Sequence, residues 1–320
     1  MNLEKIYQIA IEKGIKHDPR GKKEISEILK EKKEKFENLK KEEKKFFDND
    51  QLWNPYSDSR ILASKKNNKI ETVLVGIDVE TPEILLANEL RKNGQKIDLL
   101  ITHHPEGRAL INFSDVIWLQ RDFFSSYGIP INVAEKHIAP RIAEISRSIN
   151  STNFDRAVQA ANLLNFNFLG IHTPADNCVY DFLTRQICSQ KFRNLKNVVK
   201  ELEKIPEYLE VKKMGNSPLI AVGSENSRPG KIVAAEMTGG TSGSEKMFAE
   251  MKTAGIGTIL SMHTTEKFRK EAEENQINII ICPHMASDSI GLNLILDELE
   301  KKGLKKIIPV SGFIRFSRQK

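Results

Sequence analysis

The chain carries only three cysteines, Cys178, Cys188 and Cys282, too few and too scattered for a disulfide framework or a zinc finger. They read as buried thiols. Aromatic residues are sparse at 7%, and neither an RNA-binding aromatic signature nor a helix-turn-helix pattern is present. No apolar run approaches the ~20 residues needed to cross a bilayer, the longest being stretches such as 279–282 and 84–86. A membrane-spanning chain is excluded on that reading. The first residues, MNLEKIYQIAIEKG, alternate charged and apolar side chains at helical spacing where a signal peptide would hold an unbroken apolar core, so a cytoplasmic location is expected.

Charge of a single sign is also missing. The formal net charge is +6 over 320 residues, but the Lys-rich first fifty residues hold 14 Lys and Arg against 12 Asp and Glu. A polybasic arm would show one sign only. Nucleic acid is therefore a disfavoured partner, and a small acidic or phosphorylated ligand suits the mildly basic surface better. With 39% hydrophobic and 29% charged residues, 18 Gly and 12 Pro, the composition is that of a folded domain, neither disordered nor collagen-like. The length exceeds what one compact core usually holds, which predicts two lobes or one large α/β domain with an appendage.

Apolar residues at Ile25, Leu29, Phe36, Leu39 and Phe46 recur at threes and fours, predicting an amphipathic helix over 24–47. Lys32 and Glu43 interrupt the stripe, so it packs on the body or a neighbouring subunit rather than in a coiled coil. From Glu71 onward, short β-branched runs alternate with helical segments. ETVLVGI, IDLLIT, FNFLGI, IVAAEM, GTILSM and INIIICP read as strands, with helices expected over 82–93, 114–128, 155–165, 177–190, 243–253, 265–274 and 288–301. This alternation predicts an α/β fold of two lobes with mainly parallel sheets and an N-terminal helical extension. The expected boundaries are 1–53 for the charged helical segment, 54–193 for the first lobe, 194–224 for a connection and 225–320 for the second lobe.

Ligands gather at the carboxyl ends of parallel strands. IDLLIT runs into His103 and His104, followed by Pro105 and Glu106; FNFLGI ends at His172, four residues before Asp176; INIIICP ends at His284, four residues before Asp288. Each fragment alone has a plain explanation: a surface histidine, or Asp176 capping the next helix. Three strand ends with the same donor types point to metal ligation, and more than four donors suggest two divalent ions. Mixed imidazole and carboxylate donors suit Zn, Fe, Mn, Co or Ni without choosing among them. His263, past a fourth strand, is a further candidate. The segment Gly239, Gly240, Thr241, Ser242 and Gly243 follows IVAAEM and is either an anion cradle at a helix start or a connecting turn; it matches neither the P-loop nor the dinucleotide fingerprint.

Together, GIDVETPEILLANEL, LLITHHPEG, IHTPADN and IICPHMASDSIGLN resemble the GTP cyclohydrolase I type 2 homologue family, also called Nif-three-like, from about Asn54 to the carboxyl terminus. The resemblance implies a dinuclear metal centre between two α/β lobes and a ring-shaped homohexamer. It places the metal ligands at His103, His104, Asp176, His284 and Asp288, with His172 accompanying Asp176. Asp288 stands where many members have Glu, Ser261-Met262-His263 replaces a Thr-Gly-Glu-like segment, and Asp155 in STNFD is a second candidate for the ligand aspartate. The activity implied is hydrolysis of a nucleotide-like or other anionic small molecule, with Glu106 or His172 moving protons. The alternative is a non-catalytic metal-binding scaffold that regulates or binds partners. For Glu106 and His172 the competing explanations are surface solvation and support of a ligand from behind.

Overall fold

The computed structural model describes residues 1–65 and 69–319. Nine strands form two sheets: β1 (Arg60–Ala63), β2 (Thr72–Gly76), β3 (Leu99–Thr102), β4 (Asn167–Gly170), β5 (Leu219–Val222), β6 (Lys231–Glu236), β7 (Ile256–Ser261), β8 (Asn278–Ile281) and β9 (Lys306–Val310). The first sheet has the order β1-β4-β3-β2-β9 and the second β5-β8-β7-β6. Each is parallel except at one edge, where β1 runs antiparallel to β4 and β5 to β8. β2, β3 and β4 are buried along their whole length, because helices cover both faces; that is why their sequences read as continuous apolar runs without alternation.

The two mainly parallel sheets agree with the α/β expectation, and the pairing departs from the expected boundaries at both ends. β9 falls within 225–320 yet pairs with β2 in the first sheet, and β5 falls within 194–224 yet forms the edge of the second. The chain thus crosses back after the second sheet. Pairing partners are set by tertiary contact, so neither placement is written in local periodicity.

The N-terminal segment is less of an appendage than its composition suggests. The helix Leu3–Lys16 buries Leu3, Ile6, Tyr7, Ile9, Ala10 and Ile11 in the same core as Val73, Val75, Ile171 and Leu292. It lies so close to the helix Thr173–Leu183 that a Cβ at Gly14 would sit 2.7 Å from the Cα of Pro174. The expected helix over 24–47 is shorter, ending at Asn38, where Leu39 turns extended. Of its stripe only Ile25 is buried and Phe46 is 90% exposed, while the chain after the helix folds back so that the Phe47 ring lies 4.9 Å from that of Phe36.

Two helices carry the site from opposite lobes. Thr173–Leu183 follows β4 and His284–Lys301 follows β8, and they pack directly against one another. Contact is close because position 291 is glycine: a methyl group there would overlap the carbonyl of Ala175. Asp176 sits in the first turn of one helix and Asp288 just past the first turn of the other, so this approach bears on their separation. Gly291→Val is expected to cost about 2 kcal/mol or more by overpacking against backbone that cannot move aside. Denaturant midpoints should show it, and a variant as stable as the parent would refute the close-packing argument.

Candidate metal centre

The carboxyl ends of β3, β4 and β8 bring His103, His104, His172, Asp176, His284 and Asp288 into one neighbourhood. His103 Nε2 lies 3.3 Å from Asp176 Oδ1 and 3.5 Å from Asp288 Oδ1. Asp288 Oδ2 is 3.5 Å from His284 Nε2 and 3.7 Å from His104 Nε2, and Asp176 Oδ2 is 3.8 Å from His172 Nε2. These separations are too long for good hydrogen bonds. His103 Nε2, Asp176 Oδ1 and both oxygens of Asp288 are buried with no hydrogen-bond partner. Orphaned polar atoms at such depth are costly unless something else satisfies them. Two overlapping groups, His103 with His104 and Asp288, and His103 with His172 and Asp176, have ligand atoms within 4.8 Å of one another and could hold a metal ion.

The outward ring nitrogens explain why the inward ones are free. His104 Nδ1 is 2.6 Å from Asp78 Oδ1, His172 Nδ1 is 2.8 Å from Asp58 Oδ2, and His103 Nδ1 is 3.2 Å from the carbonyl of Ile171. Carboxylates and carbonyls only accept, so each Nδ1 carries the proton and donates. Each Nε2 is thereby aimed inward, the arrangement that fixes tautomer and ring orientation in metal sites. Asp58 is fully buried, and burial would raise its carboxyl; hydrogen bonds from His172 and Thr173 outweigh this and hold it below the ordinary value. Neither Asp58, in NPYSDS, nor Asp78, in GIDVET, stood out in the sequence, because what recruits them is a distant histidine; Asp78 sits just beyond β2, where a strand-end search could have found it.

In the metal-free chain a proton stands in for a cation. Burial disfavours a charged His103, yet Asp288 and Asp176 outweigh it and hold the imidazole well above its ordinary value. Burial likewise opposes charge on Asp288, but His103, His284 and His104 bring its carboxyl down to about 2.

Other sequence candidates fall differently. Asp155 is only partly buried and bonds Gln159, 3.1 Å away, well apart from the cluster that Asp176 joins. Glu106 precedes a short helix and does not line the cavity at the donors; burial, with Glu80 and Asp78 adding, pushes its carboxyl up to about 7. His172, expected to move protons, has Nδ1 tied to Asp58 and Nε2 among the donors. The loop of Gly239, Gly240, Thr241, Ser242 and Gly243 does not open a helix as expected: the next one begins at Met247, leaving no helix amino terminus beside it. The loop is instead pinned by Gln120, whose Nε2 donates to the Thr241 carbonyl at 2.5 Å, and Gly240 and Thr241 line the cavity.

Against known proteins, residues 51–312 match the family model described as Duf34/NIF3 (NGG1p interacting factor 3). The chain belongs to the Duf34/NIF3 family. A NIF3 superfamily protein from Sphaerobacter thermophilus is 26% identical, with a TM-score of 0.71 over 80% of this chain and 91% of that one. Reduced HcgD from Methanocaldococcus jannaschii is 16% identical, with a TM-score of 0.49 over 78% of this chain and 87% of that one. No curated protein matches the sequence. The Duf34/NIF3 match spans every donor named above and leaves the helix Leu3–Lys16 outside it.

These shifts give the Duf34/NIF3 cluster a pH signature. Asp288, held down, contributes stability present above the unfolded carboxyl value of about 4 and lost as pH falls towards its folded value. His103, held up, contributes stability fully present below about 6.5 and lost as pH rises through its folded value. In chelator-treated protein the melting-temperature advantage over Asp288→Asn should peak between about pH 4 and 6.5 and shrink on both sides. An advantage that is flat with pH would count against the buried charge pair.

Proposed function

We propose that this Duf34/NIF3 protein is a metal-dependent hydrolase acting on a nucleotide-like or other anionic small molecule, with two divalent ions as cofactors. The observation that carries this reading is the set of buried, partnerless imidazole and carboxylate atoms converging from both lobes. His103, His172 and Asp176 form one donor group and His103, His104 and Asp288 the other, with His103 shared and His284 beside Asp288. Zinc, iron, manganese, cobalt and nickel all suit such donors. When bound, paired divalent ions supply Lewis acidity and activate water near neutral pH.

The protein's own residues supply the rest. A cavity of about 410 Å³ opens beside the donors, walled by His104, His172, His263 and His284 on one side and by Leu110, Phe113, Ile145 and Ile149 on another. Arg141, paired with Glu144 at 2.9 Å on the same wall, would have to exchange that partner to meet an anionic substrate, next to Gly240 and Thr241 of the pinned loop. The apolar wall excludes water around the ligand and strengthens each electrostatic contact. No helix among the described residues is long and apolar enough to cross a membrane; a cytoplasmic location is part of this proposal. The assembly that goes with it is a ring-shaped homohexamer. Leu85, Leu86 and Leu163 stand exposed on two helices that touch each other, and offer apolar surface for it.

A second reading, a non-catalytic scaffold that holds metal and binds partners, draws on the depth of the carboxylates: Asp176 is 3% exposed and Asp288 not at all. Turnover separates the two. Metal-loaded protein screened against nucleotides, phosphodiesters and pterin precursors should hydrolyse at least one class, and Asp176→Ala should abolish that activity. Absence of turnover across the screen, with metal retained, would favour the scaffold. Elemental analysis tests the premise of both: the His103→Ala, His284→Ala double variant should fold and lose its metal, and two equivalents retained would overturn the ligand assignment.

A further inference from the structure

A second cavity lies away from the metal donors, and part of its wall comes from ahead of the family match. Its volume is about 370 Å³, within the range of roughly 300–1,000 Å³ typical of small-molecule sites. The helix Gly21–Asn38 contributes Ile28, Lys32 and Lys35, all earlier than residue 51, where the match begins. The helix Trp118–Ser126 contributes Trp118 and Asp122. No residue of this wall lines the cavities at the donors.

The charges around this cavity are not settled among themselves. The Asp122 side chain is 10% exposed; its Oδ1 accepts from Arg121 Nε at 2.7 Å, while its Oδ2 is buried without a hydrogen-bond partner. Asp115, three residues before Trp118, adds a second carboxylate at the rim. Arg20, also in the wall, is committed to Asp18, to which its Nε and Nη2 donate at 2.9 and 2.8 Å. Lys32 and Lys35, three residues apart on one face of their helix, form no ion pair among the described residues.

A buried acceptor without a partner calls for a donor, and a charged donor makes the stronger bond. Two unpaired ammonium groups call for an anion. No simple ion answers both: the lysines repel a cation, and the aspartates repel an anion. A molecule that carries both an ammonium and a carboxylate answers both, and Trp118 with Ile28 offers apolar surface for its carbon skeleton.

We propose that this cavity binds a free amino acid with an apolar side chain, its ammonium on Asp122, its carboxylate towards Lys32 and Lys35, and its side chain against Trp118 and Ile28. The site is separate from the metal centre and does not rest on the hydrolase reading. Because Ile28, Lys32 and Lys35 precede the family match, the matched segment alone does not supply the carboxylate end of the site.

Full-length protein, stripped of metal with a chelator and dialysed so that bound metal does not compete for the ligand, is titrated calorimetrically with the proteinogenic amino acids. At least one with an apolar side chain should bind. The tightest is then compared with its carboxamide, which keeps the ammonium and lacks the carboxylate. Asp122→Asn, which keeps the shape and an oxygen for Arg121, should raise the Kd for both by about tenfold or more, the scale of one lost charge-assisted hydrogen bond. Replacing both lysines, Lys32→Gln with Lys35→Gln, should raise the Kd for the amino acid by about fivefold, the scale of exposed ion pairs, and leave that for the carboxamide unchanged. The lysine variant keeps the test open if Asp122→Asn does not fold. No binding of any amino acid, including the case in which phosphoethanolamine binds instead, overturns the proposal. So does an unchanged Kd in folded Asp122→Asn, or an equal loss for both ligands in the lysine variant.

Discussion

Six side chains of opposite charge preference, four of them buried, meet in this molecule without enough hydrogen bonds to satisfy them, and most of the architecture is arranged around that unmet demand. His103 sits between Asp176 and Asp288 at distances too long for good bonds on either side. Left alone, such a cluster would favour collapse, neutralisation or entry of water. What prevents collapse is the rigidity of its supports. The imidazoles are fixed from behind by Asp58, Asp78 and a main-chain carbonyl, while the carboxylates ride on helices whose spacing is set by a glycine contact. The site is held open by its surroundings.

This explains why donors come from both sheets. A cluster built on one strand end would tighten as its loop relaxed. Here Asp176 and Asp288 belong to helices of different lobes, which the close contact between Ala175 and Gly291 holds together. The fold therefore carries the geometry, and the donors themselves are short side chains with few rotamers. Shortening the late carboxylate to aspartate fits this picture, since the helix backbone already brings Asp288 to both His104 and His284.

Much of this was legible from sequence, for a physical reason. A β-branched run followed at once by histidine marks a strand whose carboxyl end presents a polar group, and three such ends share one donor chemistry. Residues that act through another residue left no such mark. Asp58 lies in a turn before β1, and its role exists only because β4 runs beside that strand and delivers His172 to it. The helix Ile131–Asn150, which brings Arg141 to the cavity, was hidden by Pro140, although Ala134, Ile138, Ile145 and Ile149 keep a helical period. β9 could not be placed because its partner, β2, lies more than two hundred residues earlier. The same cause left the loop at 239–243 open between an anion cradle and a connecting turn, because the side chain that shapes it, Gln120, comes from another part of the chain.

The amino-terminal helix has a consequence of its own. Sequence kinship begins at residue 51, and a truncation designed by that boundary would strip away a helix whose apolar face completes the first lobe. Ile171 and Ala175, neighbours of the donor residues, would be laid bare to solvent, and Pro174 would lose the backbone it rests on. The evolutionary boundary and the mechanical one do not coincide in this chain, so an excised family core would be an injured protein with a loosened cluster of donors.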